Sequence, residues 1–257
     1  MGSHVSYVTK EHIARITLDR PPVNALTGEL LDQILAALQR AANDSQVNAV
    51  ILQSAVQKRF CAGLDMELLA GRTAPEIRAF VSKLYTELRE VQTTMGKPTI
   101  AAIHGAARGG GMTLAISCDV ILASNDSSFG YPEIDLGLVP AIHFSHLHRI
   151  VGRHRAFELL FSGRSFSAKE AFDLGLVSRV VGSDNFAACV QEVAERFAAK
   201  SPAIMRSARA AFLRASDLGY ERSLSEAIDD FTRVAVSDDA QEGLLAFLEK
   251  RPPAWKG

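Results

Sequence analysis

Cysteine is scarce in this chain, with three residues in 257. Cys61, Cys118 and Cys189 are odd in number and far apart in sequence, so they do not resemble the disulfide framework of a small secreted domain. Free thiols persist where the surroundings are reducing. The cysteine content therefore predicts an intracellular protein, with the cytoplasm as its location.

Neither an excess of charge of one sign nor a long apolar run is present. The chain has 28 Lys and Arg against 29 Asp and Glu, a net charge of −1, which gives no electrostatic footprint for nucleic acid or an anionic membrane. A membrane-spanning helix needs about 20 apolar residues, and the run after Arg108 already ends at Asp119. We expect a soluble protein that binds neither nucleic acid nor membrane.

The amino-terminal segment lacks the basic and then apolar pattern of a signal peptide. It reads Met1-Gly-Ser-His4, which is more typical of a tail left by cloning than of a targeting sequence. We expect it to lie outside the fold. The remaining length, with 47% hydrophobic residues, suffices for the core of one large domain, or of one domain with a helical extension.

Strand and helix patterns alternate along the first two thirds of the chain, and helix patterns dominate the rest, which predicts an α/β fold. Thr27 is a candidate N-cap for an early helix, and Ser167 with Glu170 matches a capping box. Strands are predicted at 5–10, 12–19, 47–53, 99–103, 120–123 and 177–181. Further helices are predicted near 77–91, 111–117, 185–200, 202–217, 221–236 and 240–250.

Three consecutive glycines, Gly109 to Gly111, separate a strand-like run from a helix-like run. Glycine lets a ligand approach the backbone, and the first N–H groups of a helix lack intrahelical partners and lie at its positive end. A tight turn under close packing is the alternative interpretation. The Lys that a nucleotide-phosphate loop requires is absent, as are the spacing of a dinucleotide fingerprint and a Gly-x-Ser-x-Gly elbow. An oxyanion that develops on a substrate carbonyl is the remaining candidate.

A second glycine turn follows another apolar run. It spans Arg59-Phe-Cys-Ala-Gly-Leu-Asp65 and precedes a helix-like segment that begins near Met66, where Asp65 is a candidate cap. Two turns between strand and helix can face one pocket.

Several motifs together resemble the crotonase superfamily, which comprises the enoyl-CoA hydratases and isomerases. The resemblance extends from about Ile13 to Trp255, and its order and spacing are specific although each motif alone is weak. Its motifs are Asn24-Ala-Leu, Phe60-Cys-Ala-Gly-Leu-Asp65, Lys97-Pro-Thr-Ile-Ala-Ala-Ile-His-Gly105, Gly109-Gly-Gly, Cys118-Asp119, Phe129-Gly-Tyr-Pro-Glu133, Leu136-Gly-Leu-Val-Pro140, Ala171-Phe-Asp-Leu-Gly-Leu-Val177 and Glu242-Gly-Leu-Leu-Ala-Phe-Leu-Glu-Lys250.

The resemblance implies a crotonase-like spiral of ββα units, with residues 5–195 as the core and 196–257 as a helical region that packs against other subunits. It implies a homotrimer or a dimer of trimers. It also implies an acyl-CoA thioester of fatty acid metabolism as substrate, with no cofactor and no metal, because coenzyme A is part of the substrate.

Carried over by motif position, the oxyanion hole consists of the backbone N–H groups of Leu64 and Gly110, and Glu133 is the catalytic carboxylate. Burial in an acyl pocket would raise the pKa of that carboxyl toward working pH. Judged without its motif, Glu133 is a solvated loop charge. Substrate-binding positions are expected at Ala62, Gly63, Gly109 and Thr113 in the two turns. Tyr131 and His143 are further candidates to contact the substrate, with a packed aromatic as the alternative for Tyr131.

The sequence departs from the hydratase pattern at Thr113, where the second glutamate of the hydratases would lie. A threonine hydroxyl does not act as a carboxylate base near neutral pH. We therefore expect isomerisation of a 3-enoyl to a 2-enoyl thioester by Glu133 alone. Hydration, thioester hydrolysis, decarboxylation and a non-catalytic protein that binds CoA or RNA remain alternatives.

Basic and sulfur-containing side chains supply further candidates. Lys58, Arg59 and Lys250 are expected to bind the CoA nucleotide, although each alone is typical of a solvated surface. The histidines His143, His146, His148 and His154 lack accompanying acidic or cysteine ligands, so a metal site is not expected. Cys61 is expected to be a buried, inert thiol, and Asp119 to be structural.

Overall fold

A computed structural model of the chain describes residues 2–216 and 220–254. Within these residues the strands are β1 (Val5–Lys10), β2 (Ile13–Leu18), β3 (Ala49–Ser54), β4 (Arg59–Cys61), β5 (Thr99–Ile103), β6 (Ala106–Arg108), β7 (Val120–Ser124), β8 (Ser128–Gly130), β9 (Ser165–Ser167) and β10 (Arg179–Val181). The helices are α1 (Gly28–Asn43), α2 (Ala74–Ser82), α3 (Leu88–Thr94), α4 (Gly110–Ser117), α5 (Ala141–Val151), α6 (Arg153–Ser162), α7 (Ala168–Asp173), α8 (Ser183–Ala198), α9 (Pro202–Ser216), α10 (Tyr220–Ala235) and α11 (Asp238–Leu248).

The strands form two sheets. The larger has the order β1-β2-β3-β5-β7-β10 and is parallel apart from the β1–β2 hairpin. The smaller has the order β4-β6-β8-β9, and its β8–β9 pair is antiparallel. All the predicted strands belong to the larger sheet. The four strands of the smaller sheet have three residues each and no extended apolar pattern around them, whereas the equally short β10 lies in the valine-rich segment Val177–Val181.

One unit of two strands and a helical segment repeats along the chain. In each of the pairs β3–β4, β5–β6 and β7–β8, the first strand joins the larger sheet and the second joins the smaller one. The helical segments that follow begin with α2, α4 and α5 respectively, the first and third after a short 3₁₀ segment. This arrangement confirms the prediction of an α/β spiral of ββα units.

Local sequence signals account for several helix starts. The Thr27 hydroxyl accepts the Leu30 N–H at 3.1 Å, and the Ser167 hydroxyl accepts the Glu170 N–H at 3.1 Å. The reciprocal half of the capping box predicted for Ser167 and Glu170 is replaced by an ion pair, since the Glu170 carboxylate binds Arg164.

The segment after the first glycine turn differs from its prediction. Met66–Leu68 is a single 3₁₀ turn capped by Asp65, and the regular helix begins only at Ala74. The predicted helix 77–91 is interrupted by a π-helical turn, Lys83–Glu87. Such turns are common at functional sites.

Two helices were not predicted. These are α5 and α6, which follow Pro140 and meet at Gly152. In α5, four histidine and arginine side chains interrupt the apolar stripe, which hides its period.

The carboxyl-terminal third is helical, as predicted. Helix α10 packs against α5 and α2, and its Phe231 side chain belongs to the same hydrophobic core as the strands. The division of the chain at residue 195 stays a prediction, and α8 runs across it. Asp217 and Trp255, at which a predicted helix and the resemblance end, lie outside the described residues. Among the described helices, none is long and apolar enough to cross a membrane.

A close backbone contact joins the ends of the two glycine turns. A methyl group built on Gly111 would lie 2.3 Å from the carbonyl oxygen of Cys61, far inside van der Waals distance. Gly105 is equally constrained, because a methyl group there would lie 2.1 Å from the Lys58 carbonyl carbon. Only glycine lets β4 and the start of α4 approach this closely.

We expect Gly111→Ala to destabilise the fold by about 1–3 kcal/mol, because backbone atoms must move to admit the methyl group. Gly28→Ala is the matched control, since a methyl group at Gly28 has no atom within 4 Å, and it should leave stability unchanged or raise it by up to about 1 kcal/mol. Urea unfolding measures both. Equal midpoints for wild type and Gly111→Ala would contradict the packing constraint.

Candidate active site

The two glycine turns bring two backbone amides side by side. Gly63 has φ +96°, and a methyl group built on it would lie 3.3 Å from the Gly110 nitrogen. A methyl group built on Gly110 would in turn lie 3.5 Å from the Leu64 nitrogen. The backbone nitrogens of Leu64 and Gly110 therefore lie close together, and their role as an oxyanion hole stays a prediction.

Neither amide donates a backbone hydrogen bond to another described residue. Leu26 holds the first turn from both sides, because its N–H donates to the Gly63 carbonyl at 2.7 Å and its carbonyl accepts the Asp65 N–H at 2.9 Å. Among the described residues, no acceptor takes the N–H groups of Leu64 or Gly110. Gly110 is the first residue of α4, where the backbone N–H lacks an intrahelical partner.

Buried Asn24 braces the same turn. Its side-chain amide donates to the Phe60 carbonyl at 2.9 Å and to the Ser54 hydroxyl at 2.8 Å. The Cys61 thiol donates to the Asn24 carbonyl, and burial raises the thiol pKa to about 12. Cys61 is therefore a protonated packing residue at neutral pH, in agreement with its sequence-based interpretation.

Glu133 lies directly beside Gly109. A methyl group built on Gly109 would lie 3.0 Å from the Glu133 Oε1 atom, and Gly109 has φ +48°. The carboxylate follows Pro132 in the 3₁₀ segment Pro132–Leu136, whose end is fixed by the Leu138 N–H that donates to the Glu133 carbonyl at 2.9 Å.

The Glu133 carboxyl is buried, and its Oε2 atom has no hydrogen-bond partner among the described residues. Burial raises its pKa to about 7, which is near working pH for a general base. A solvated loop charge, the alternative interpretation, does not describe this carboxyl.

A small cavity of about 50 Å³ lies between the two amides and this carboxylate, and Glu133 is the one carboxylate among its lining residues. Seven of the predicted site residues line it, namely Ala62, Gly63, Leu64, Gly109, Gly110, Thr113 and Glu133.

Tyr131 and His143 do not line this cavity but lie behind the residues that do. Their ring centroids are 4.5 Å apart, and the His143 Nε2 atom lies 3.4 Å from the Thr113 hydroxyl. Burial lowers the pKa of His143 well below its ordinary value, so the imidazole is neutral. The expected direct contact of these two residues with substrate stays a prediction.

Apolar residues that the sequence reasoning did not identify complete the wall. They are Met66, Leu84, Tyr85, Pro132, Leu136, Leu138 and Phe231. The helical apolar period marks Leu84 as buried, but no local signal connects Phe231 of α10 with a turn more than a hundred residues earlier.

The residues expected to bind CoA are exposed. Lys58 and Arg59 are adjacent at the start of β4, the strand that leads into the first turn, and Lys250 follows the end of α11. Their role stays a prediction.

Two acids near the turns have structural partners. Asp65 pairs with Arg20 at 3.1 Å, and Asp119 binds the Thr99 N–H and the Arg209 guanidinium. Within residues 2–216 and 220–254, the structure brings together no three metal-ligating side chains of His, Cys, Asp or Glu.

Comparison with known proteins gives consistent matches. The sequence profile of the family described as enoyl-CoA hydratase/isomerase matches residues 8–257. A Bacillus subtilis (strain 168) protein named as a probable enoyl-CoA hydratase is 35% identical over 98% of both chains. The carnitinyl-CoA dehydratase of Proteus mirabilis (strain HI4320) is 33% identical over the full length of both.

A solved structure shares the architecture. The crystal structure of an enoyl-CoA hydratase/isomerase from Xanthobacter autotrophicus Py2 superposes with a TM-score of 0.86 at 30% identity, over 99% of this chain and all of the other. The names of the matched relatives describe enzymes that act on CoA thioesters. The chain belongs to the enoyl-CoA hydratase/isomerase family, within the crotonase superfamily, and is an enzyme of that type.

Proposed function

We propose that this enzyme moves the double bond of a 3-enoyl-CoA thioester to the 2-position, with Glu133 as the only proton-transfer residue. One observation carries the proposal: Glu133 is the single carboxylate in a cavity beside two amides that no described residue accepts. Thr113, where the resemblance places the second glutamate of the hydratases, lines the same cavity.

The reaction begins when the Glu133 carboxylate removes a proton from C2 of the thioester. The electron pair of the broken C–H bond forms a dienolate, whose negative charge rests on the former carbonyl oxygen. The N–H groups of Leu64 and Gly110 hydrogen-bond to that oxygen. Glu133 then returns its proton to C4, and the double bond between C2 and C3 forms as the carbonyl is restored.

The backbone amides supply the larger part of the stabilisation. A preorganised donor aimed at a developing oxyanion contributes roughly 2.7–4 kcal/mol, because it does not reorganise during the reaction. The cavity walls are mainly apolar, so the donors act where water is excluded.

Hydration of a 2-enoyl thioester is the second candidate. The Thr113 hydroxyl and the neutral His143 imidazole are polar groups beside the cavity that can orient a water molecule for Glu133 to activate. The names of the relatives favour this reaction. Under this candidate, Thr113→Val abolishes hydration and leaves isomerisation measurable.

The substrate is proposed to be an acyl-CoA, with Lys58, Arg59 and Lys250 near the CoA nucleotide and no further cofactor. We also propose a homotrimer or a dimer of trimers, and a cytoplasmic location. The matches to proteins named for CoA thioesters support the substrate class.

Glu133→Gln should lower kcat/KM for 3-enoyl-CoA by about 10²–10⁴-fold, because the amide cannot take up the C2 proton. Binding of a saturated acyl-CoA, measured by calorimetry, should persist. Glu29→Gln is the control, since Glu29 is an exposed carboxylate on α1. Mass spectrometry with 3-enoyl and 2-enoyl substrates identifies the products.

If the wild-type enzyme adds water without moving the double bond, and this activity depends on Glu133, the reaction is hydration and the isomerisation proposal is wrong. Unchanged turnover in the Glu133→Gln variant would contradict both isomerisation and hydration by Glu133.

The raised pKa of Glu133 also predicts a pH dependence of stability. The unfolded carboxyl has a pKa near 4.5 and the folded one a pKa of about 7, so the folded state binds more protons between these values. Stability should therefore fall as pH rises through this window, by on the order of 3 kcal/mol in total.

Urea unfolding at about pH 5 and about pH 8 measures this dependence. The Glu133→Gln variant should not show this decrease of stability with rising pH. Its free energy of unfolding relative to wild type should therefore rise with pH. Parallel pH profiles for the two proteins would contradict a buried, proton-binding carboxyl.

A further inference from the structure

A second and larger cavity adjoins the first. Its volume is about 690 Å³, and Leu84, Tyr85 and Thr113 line both cavities. The small cavity has room only for the reacting atoms. The rest of an acyl group that passes Thr113 therefore enters the larger cavity.

One face of α5 presents polar groups along this path. His143, His146 and Arg149 are spaced by three residues, which places them in one row on a helix. The ring centroids of His143 and His146 are 5.3 Å apart, and His146 and Arg149 line the larger cavity. Thr113, on α4, lies next to the first residue of this row, because its hydroxyl is 3.4 Å from the His143 Nε2 atom.

The His146 imidazole is buried, and neither ring nitrogen has a well-aligned hydrogen-bond partner among the described residues, although the Ile142 carbonyl one turn earlier acts on the ring. Among the described residues, seven buried polar side-chain atoms lack a hydrogen bond, and five of them belong to Tyr131, Glu133, His143 and His146. Both ring nitrogens of His146 are in this group. Burial, with the neighbouring positive charges of His148 and Arg149, lowers its pKa to about 4, so the ring is neutral and offers one donor and one acceptor. Unsatisfied buried groups at a cavity indicate that a ligand or water supplies the partner.

Three arginines, Arg89, Arg149 and Arg209, line the larger cavity, and Asp119 is the one carboxylate among the described residues that line it. Arg89 already has an interaction partner. Arg209 already binds Asp119 at 2.9 Å. Arg149 is exposed, lines the cavity and forms no ion pair with an acid among the described residues, so its guanidinium is available to an anionic ligand.

We infer that the substrate carries a carboxylate at the far end of its acyl chain, held by Arg149 and by the N–H of His146. Six residues of helix separate His143 from Arg149, a rise of about 9 Å, so the chain is of medium length. The inference rests on the proposed function, because Glu133 marks where the reacting carbons lie.

The test compares three enoyl-CoA substrates of equal chain length, whose tails end in a methyl, a carboxylate or a trimethylammonium group. Wild type should prefer the carboxylate tail in kcat/KM. Arg149→Met should lower the ratio of carboxylate to methyl substrate by about tenfold, the effect of one lost charge-assisted hydrogen bond. His146→Phe should lower the same ratio, and His146→Gln should retain part of it.

Arg155→Met is the matched control, because Arg155 is an exposed arginine on the neighbouring helix α6. This variant should keep the wild-type ratio. Calorimetry with the three saturated acyl-CoA analogues gives the same ratio as Kd values, so the inference is decided even if double-bond migration is not found.

A wild-type ratio of kcat/KM for the carboxylate substrate to that for the methyl substrate at or below one overturns the inference. A preference for the trimethylammonium tail also overturns it. An equal fall for all three substrates in Arg149→Met also overturns it, because Arg149 would then contact the shared CoA portion. Absence of turnover with every enoyl substrate, together with a retained Kd ratio, overturns the proposed function but supports the distal carboxylate.

Discussion

The contact between Gly111 and the backbone of Cys61 is the constraint on which the site depends. It brings the start of α4 against the end of β4, at a separation that excludes any side chain at position 111. The two backbone amides lie near this contact, since Gly110 directly precedes Gly111 and Leu64 follows Cys61 by three residues. A site made of main-chain atoms is rigid because the two sheets fix it.

The electrostatic surroundings of Glu133 are the second determinant of the site. The interior around the cavity holds one acid and no fixed cation among its lining residues, so the Glu133 carboxyl is not drawn strongly to either protonation state at neutral pH. A carboxyl with a pKa of about 7 can both accept and return a proton, which is what migration of a double bond requires. The neutral rings behind Thr113 preserve this balance, because a charged histidine there would lower the pKa of Glu133.

The sequence permitted prediction of the larger sheet, most helices, both glycine turns and seven residues that line the cavity. These features depend on local pattern or on motifs that the family shares. Prediction failed for β4, β6, β8 and β9, which have three residues each and lack the longer apolar pattern that marks β10, and for α5, whose apolar stripe is interrupted by its polar row. It also missed Phe231, which packs through the tertiary fold, and the π-helical turn that turns Leu84 and Tyr85 toward both cavities. The role proposed for His146 needed a cavity and two unsatisfied nitrogens, and sequence reveals neither.

A crystal structure of the enzyme with a saturated acyl-CoA tests the central claim most directly. The account predicts that the thioester oxygen lies about 3 Å from both the Leu64 and the Gly110 nitrogen, with the Glu133 carboxylate facing C2. A thioester oxygen that contacts neither amide, or an acyl group bound outside the cavity beside Glu133, would contradict it.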